Sequence, residues 1–599
     1  MTVRAIFGLV GLHVFFLFAG AGVLWGLRGW RYWTDFVRLA GLAYLLGVAG
    51  VITVLMLALV VGIPFGPPLI IGSGAALVAG GLLAGRRRNR LLPRLRAAGW
   101  SLPTPSLLSA GFIAALVLYF EAAFRSERLA ELYDWDAWFV WALKGKALFH
   151  FGGLEEWIFG GSAYSSGVYT GYPPGFSALQ AASFHAMGSD DVVTQNLNYW
   201  FLTLGFAAAV AGLLAPRVRA LILLPVLLLL LMLPGLTGIP VPGGADRPLA
   251  FFVATAALLV FIWLDERKDW QLAAAAILLA GAFLTKREGL LLGACVVFAA
   301  FAASLRDRRW AWPRLAAFAF AAFALALPWR IWVASKGYRS DGPEAGVFGF
   351  LEDFGRGLDS LWLAARAMFG YELWLVLPAV VVVAAVLAFI AGARKGAVFA
   401  LVFVGVTAVA NAWVTWTYPS LAVSLDYSLN PATRFMVSPL LVVAALLPLL
   451  LERAWTGRSG PPEPTTRALE GTKRRLVLPW AIVLAALLLY PTSMAVGYSS
   501  FRLPGGSPPF PSRDECVRPP IAGAPLRVVV GYERSYADAN VLRDRARGAG
   551  FEATEVARDG CGRLRIVIGN VPSVAVADQL VGRARAAGLE PTLERDPSD

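Results

Sequence analysis

Cysteine, histidine and charge are all scarce in this chain of 599 residues. There are three cysteines, Cys295, Cys516 and Cys561. That number excludes a disulfide framework and leaves room for at most one bridge, between Cys516 and Cys561 in an oxidising compartment. Three histidines, His13, His150 and His185, are too scattered for a histidine-based metal site, and packing or interfacial roles suit them better. Only 15% of residues are charged, whereas a soluble chain carries about a quarter. No small-residue cleavage site follows the first hydrophobic run, so that run reads as a retained span and not a signal peptide.

What is present is hydrocarbon. Hydrophobic residues make up 58% of the chain and the mean hydropathy is +0.64. Runs approaching the ~20 residues needed to cross a bilayer recur to about residue 497. We read about 14 transmembrane helices: 4–26, 37–62, 67–85, 105–122, 192–215, 219–239, 247–264, 270–285, 288–305, 312–334, 371–392, 396–418, 435–452 and 477–497. The formal charge of +14 would suit nucleic acid if it formed one patch. Instead the basic residues sit in short loops such as Arg86-Arg87-Arg88 and Arg306/Arg308/Arg309, which is the positive-inside pattern, so no nucleic-acid partner is expected. With those loops cytoplasmic, the 123–191 loop, the turn at 286–288, the 335–370 segment and the C-terminal region fall outside. Arg4 then also falls outside, against the same bias.

The external loops and span ends carry ionisable residues that are costly at a membrane edge. Asp134 and Asp136 lie in Tyr133-Asp134-Trp135-Asp136-Ala137-Trp138, ahead of an expected helix at 137–149. A carboxylate there suits general-base chemistry, a shared divalent cation (magnesium or manganese), or an Asx cap on that helix. Tyr172-Pro173-Pro174-Gly175 reads as a turn opening a short helix along the membrane surface. Asp246 directly precedes a span, as a cap or a site residue. Lys286-Arg287-Glu288 fills a tight turn, and Arg330 and Arg434 stand at span ends. These cations are candidates for holding phosphate oxygens, or simple snorkelling anchors.

In order and membrane side, these segments resemble class C glycosyltransferases, the group of protein O-mannosyltransferases and lipid A aminoarabinose transferases. The similarity covers roughly residues 105–450. It is carried by Asp136 before a helix, by Tyr172-Pro173-Pro174 where the family has His-Pro-Pro, and by Ala245-Asp246-Arg247-Pro248. Leu284-Thr285-Lys286-Arg287-Glu288-Gly289, Leu327-Pro328-Trp329 and the Arg434-Phe435 span start complete it. The resemblance implies an inverting transferase that takes sugar from a polyprenyl-phosphate donor and gives it to a cell-envelope glycan or protein on the outer face of a bacterial plasma membrane. Asp136 would be the general base, Asp134 and Asp246 would orient substrate or complete a cation site, and Lys286, Arg287 and Arg434 would stabilise the leaving phosphate. A transporter or flippase of lipid-linked sugars is the alternative. It would place charge near the bilayer midplane, whereas here charge gathers at span ends.

The chain divides into additional helices at 1–104, a catalytic-like region at 105–497, a Pro-rich linker at 498–524 and a small domain at 525–599. That last domain contains a repeat. Val528-Val529-Val530-Gly531 through Ala549-Gly550-Phe551 recurs as Ile566-Val567-Ile568-Gly569 through Ala587-Gly588-Leu589. Each copy predicts strand, helix of about 13 residues, glycine stop and strand, giving an α+β, ferredoxin-like sheet with two helices on one face. This unit resembles a SPOR domain, which implies binding to peptidoglycan and an extracytoplasmic C-terminus.

Overall fold

The computed structural model describes residues 3–90, 93, 106–128, 136–159, 171–233, 244–338, 354–369, 376–417, 431–456, 481–488, 526–533, 536–558 and 564–595. Asp134, the 498–524 segment, Cys516 and Cys561 lie outside these. The chain forms two compact units, divided between Ser507 and Pro508.

The first unit is helical. Among the described residues nine helices are long and apolar enough to cross a bilayer, and four further apolar helices have 10–17 residues. The chain is therefore a multi-span membrane protein. Every expected span up to 435–452 coincides with one of these thirteen helices, and 481–488 within the last is helical too.

Three helices lead: α1 (Val3–Leu27), α2 (Trp33–Val60) and α3 (Pro67–Arg87). The middle one is buried along most of its length, while α1 and α3 expose much of theirs, as helices facing lipid do. A buried polar chain ties this group to the rest. His13 of α1 meets the Tyr44 hydroxyl at 2.8 Å and Asn198 Oδ1 at 2.9 Å, and Asn198 Nδ2 donates to Ser183 Oγ at 2.9 Å. The His13 ring also stacks on Phe201, 3.9 Å between centroids. Buried polar groups are costly once a partner is lost. His13→Ala is expected to lower stability by about 3 kcal/mol through a cavity and orphaned polar atoms. Thermal unfolding in detergent checks this, and Tyr44→Phe in the same background should recover part of the loss.

After α4 (Leu107–Glu127) the chain returns as a π-helix over Asp136–Ala142, continued by α5 (Leu143–Phe151) and the short α6 (Glu156–Phe159). The expected helix at 137–149 thus exists, but its first turns are wider than α, a feature frequent at functional sites. Next comes α7 (Gly175–Met187), which buries every residue except His185 and Ala186. The helix expected along the membrane surface is thus enclosed by protein on nearly all sides. Gly175 makes this possible: a Cβ there would stand 2.2 Å from the Leu284 carbonyl oxygen, so only glycine permits the approach. At the other end of α7, Gly188 lies beside the Arg4 guanidinium. Arg4 therefore shares an end of the bundle with the 171–191 segment, as the charge pattern required despite its sign.

The remaining helices are α8 (Val192–Gln195), α9 (Leu197–Leu214), α10 (Ala220–Met232), α11 (Asp246–Glu266), α12 (Asp269–Thr285), α13 (Glu288–Ala303), α14 (Arg308–Ser335), α15 (Phe354–Phe369), α16 (Leu377–Ile390), α17 (Arg394–Thr417) and α18 (Pro431–Thr456). Part of the expected 335–370 loop is therefore helix. One face of α15 packs on α17, and the opposite face exposes Leu358, Leu361 and Trp362. Asp359 and Arg366 are exposed as well, and this mixture of apolar and charged side chains fits a membrane interface.

Central and almost wholly buried, α11 measures the bundle. Its C-terminal end carries Asp265 and Glu266, which pair with Arg453 and Arg217, while Asp307 nearby pairs with Arg267 and Lys395. The arginine-rich loops thus collect at one end. Asp246 stands at the other, about 30 Å away at ~1.5 Å per residue.

The second unit has the order β1 (Leu526–Glu533), α19 (Tyr536–Gly548), β2 (Thr554–Arg558), β3 (Leu564–Val571), α20 (Val574–Ala586) and β4 (Thr592–Arg595). The strands form one antiparallel sheet, ordered β2-β3-β1-β4. Alternate residues Leu526, Val528 and Val530 join Leu564, Ile566 and Ile568 beneath both helices. Gly550 and Gly588 stop the two helices at φ +88° and +72°, the left-handed region that favours glycine. The Arg545 guanidinium donates to the Gly588 carbonyl at 3.0 Å, and Arg583 lies over Phe551, so each helix reaches the other's stop.

Candidate functional site

Five ionisable residues from four chain segments meet at the end of the bundle opposite the basic loops. Asp246 is the first residue of α11 and only 5% exposed. Its Oδ1 accepts from Lys286 Nζ at 2.7 Å and its Oδ2 from Arg434 Nη2 at 3.0 Å. The other Arg434 fork atom, Nη1, donates to Asp136 Oδ2 at 2.5 Å. Lys286 pairs in addition with Glu288 at 3.1 Å. The result is a continuous line of alternating charge: Asp136, Arg434, Asp246, Lys286, Glu288. The capping and snorkelling alternatives for Asp246, Lys286 and Arg434 give way here, because each points inward at a partner.

Local structure explains the placement. Asp246 and Glu288 begin α11 and α13, where a helix end favours negative charge. Lys286 ends α12, where positive charge is favoured. It adopts an extended conformation (φ −153°, ψ 147°) that breaks α12 from α13 and turns its side chain inward. Arg434 stands in the first turn of α18, the unfavourable end for a cation, and two carboxylates offset that cost. Burial works against charge on Lys286, but Asp246 and Glu288 outweigh it and hold its pKa above the ordinary lysine value. Lys286 is thus a fixed cation and not a proton carrier.

Around this line lie the other predicted residues. The Tyr172 ring sits 5.0 Å from the Arg287 guanidinium, a cation–π distance, and meets Trp141 edge-on. Burial, reinforced by Glu288, raises the pKa of the Tyr172 hydroxyl. Arg330, half-buried on α14, is close enough to Arg287 for the two charges to repel. A fifth cation was missed from sequence. Lys144 is fully buried in α5, and its ammonium donates to the Tyr172 carbonyl at 3.2 Å. Its signal was available: Ala137, Val140, Trp141, Lys144 and Leu148 make a buried stripe at helical spacing that includes one lysine.

The three carboxylates and five cations Lys144, Lys286, Arg287, Arg330 and Arg434 leave the site cationic. No family model matches the chain, and no similar curated protein or solved structure was found. The site must therefore be judged by its own chemistry. Arg434 Nε and Glu288 Oε2 are buried without a hydrogen-bond partner among the described residues, one donor and one acceptor at the centre of the site. Buried polar atoms of this kind retain hydrogen-bonding capacity that water or a bound group can take up. A divalent cation site shared by Asp134 and Asp136 falls outside the described residues, because Asp134 does; at Asp246 the partners are cations instead. No group of three or more His, Cys, Asp or Glu among the described residues suits a metal.

Geometry also separates the two described aspartates. The Asp246 side chain is 7% exposed and held by cations on both oxygens, whereas that of Asp136 is 30% exposed. A proton acceptor needs substrate access; a keystone does not.

Proposed function

We propose that this protein is a membrane glycosyltransferase that moves a sugar from a polyprenyl-phosphate donor to a hydroxyl of a cell-envelope glycan or protein, on the external face of a bacterial plasma membrane. The observation that carries this reading is the convergence of Asp136, Asp246, Lys286, Glu288 and Arg434 at one end of an apolar bundle, in a net-cationic site with unfilled donor and acceptor atoms. A lipid phosphate travels at that depth, and guanidinium and ammonium groups are what its oxygens bind.

In the proposed step the acceptor oxygen attacks the anomeric carbon while its proton passes to Asp136. The bond from that carbon to the phosphate oxygen breaks, and the electron pair leaves with polyprenyl phosphate. Arg434, Arg287, Arg330 and Lys286 stabilise the charge gathering there. Attack from the face opposite the lipid inverts the anomeric centre. Asp246 holds Arg434 and Lys286 in position.

For the C-terminal unit we propose a SPOR-like, ferredoxin-like domain that holds the enzyme to peptidoglycan. The β-α-β-β-α-β order and the paired glycine stops support it.

The test is transfer itself. Purified full-length protein in nanodiscs, given radiolabelled polyprenyl-phosphate sugars and envelope acceptors, is expected to label an acceptor and release one polyprenyl phosphate per sugar. Donors that bind but are never cleaved would overturn the enzyme and favour a flippase.

A further inference from the structure

The end of the bundle away from Asp136 holds a second gathering of charge. A cavity of about 240 Å³ opens there between the α1–α2 turn, the start of α2 and the ends of α9 and α11. Arg28, Arg38, Arg217 and Lys268 line it, against one carboxylate, Glu266. Arginines that only set orientation need no enclosure, and Arg86, Arg87, Arg306, Arg308 and Arg309 are indeed exposed. Arg28, Arg38 and Arg217 are instead half-buried around a common space.

Glu266 cannot neutralise them all. It already accepts from Arg217 Nε at 2.6 Å, from Lys268 Nζ at 2.9 Å and from Gln271 Nε2 at 3.0 Å. Arg28 and Arg38 are left over. The Arg28 guanidinium donates to the Gly29 carbonyl at 3.0 Å and stands 5.6 Å from the Trp270 ring. Arg38 makes no ion pair or side-chain hydrogen bond among the described residues. Asp35 attracts both, but from beyond ion-pair distance. Two guanidinium groups that share a cavity without a carboxylate between them are a ready receptor for an anion with several oxygens.

Depth identifies the anion. Trp25, Trp30, Trp33 and Phe36 flank Arg28 and Arg38 in sequence and pack ring on ring, 4.8–6.0 Å between centroids. Trp33 is 43% exposed. Tryptophans gather at the level of the lipid headgroups, where the abundant anion is the phosphodiester of a phospholipid. The remaining wall, Leu39, Leu213, Pro216 and Trp270, is apolar and suits the glycerol and the first chain carbons. The volume is below the roughly 300–1,000 Å³ of sites for whole small molecules, so it admits a phosphate with its glycerol and not a nucleotide.

We infer that the cavity between Arg28, Arg38 and Arg217 is a binding site for a phosphate-bearing anion, seated as the headgroup of an anionic phospholipid. It lies at the opposite end of α11 from Asp246 and does not rest on the transferase reading.

Native mass spectrometry of delipidated full-length protein tests this, with phosphatidylglycerol as probe and zwitterionic phosphatidylcholine as comparison. One phosphatidylglycerol is expected to bind in preference. Arg28→Gln with Arg38→Gln should weaken it by roughly 10–30-fold, the scale of two arginine contacts. Arg86→Gln with Arg87→Gln removes the same charge from exposed positions and should leave binding near wild type. The unmutated protein gives a readout that no folding defect can disturb. Phenylglyoxal should modify its Arg28 and Arg38 several-fold more slowly in phosphatidylglycerol nanodiscs than in phosphatidylcholine nanodiscs. Equal protection by millimolar inorganic phosphate in phosphatidylcholine nanodiscs would keep the anion site and assign it to a free phosphate. Protection by neither probe, or equal losses of lipid binding in the two double variants, would overturn the site.

Discussion

Asp136→Asn is expected to lower kcat for sugar transfer by roughly 10²–10⁴-fold, the range a positioned general base contributes. The asparagine keeps an oxygen for Arg434 but cannot take a proton from the acceptor. Because the Asp136 side chain is 30% exposed, the variant should fold and melt close to wild type. Arg434→Lys is the companion. A lysine cannot span Asp136 and Asp246 as the guanidinium fork does, and its loss should be about 10²–10³-fold, that of one preorganised donor. The two variants should differ in kind: Asp136→Asn acts on kcat, whereas Arg434→Lys also weakens donor binding and raises KM. Transfer that survives Asp136→Asn would keep the enzyme and move the base to Asp134, since Asp246 is buried with a cation on each oxygen.

The second large effect concerns stability. Asp246→Ala removes the carboxylate between Lys286 and Arg434 and leaves two buried cations facing each other. Breaking a buried ion pair from one side costs about 3–5 kcal/mol, mostly because the partner remains charged and unpaired. Thermal unfolding in detergent should show that loss. Adding Lys286→Met should recover part of it, since the repulsion between the Lys286 ammonium and Arg434 goes too although Glu288 then loses its cation, and the double-mutant cycle isolates the coupling. An Asp246→Ala protein within about 0.5 kcal/mol of wild type would mean that the charge line does not hold the bundle.

The site was legible where membrane physics makes residues conspicuous. Asp246, Lys286, Glu288 and Arg434 each interrupt an apolar sequence at a span end, and the cost of charge there singles them out. Their pairing was not legible, since Asp136 and Arg434 lie 298 residues apart and no local pattern links them. Lys144 shares a helix face with Ala137, Val140, Trp141 and Leu148, a local signal that Lys146, which stands beside it and pairs with Asp190 near the surface, obscures. The π-helix at 136–142 escaped because apolar spacing is too coarse to tell a wide turn from an α turn over seven residues. Span positions and the small domain's repeat depended on length, hydropathy and glycine placement, all local properties. The burial of α7 depended on Gly175 meeting Leu284, which is not local.

The charge line also has an order in time. During synthesis Lys286 emerges 40 residues after Asp246, so this pair can close as soon as its helical hairpin is inserted. Arg434 follows Asp246 by 188 residues and Asp136 by 298. Until α18 enters the bilayer, Asp136 waits without the cation that completes the site. A chain cut short before α18 therefore lacks the guanidinium that joins Asp136 to Asp246. Assembly of the working centre is thereby tied to the arrival of the last well-packed helix.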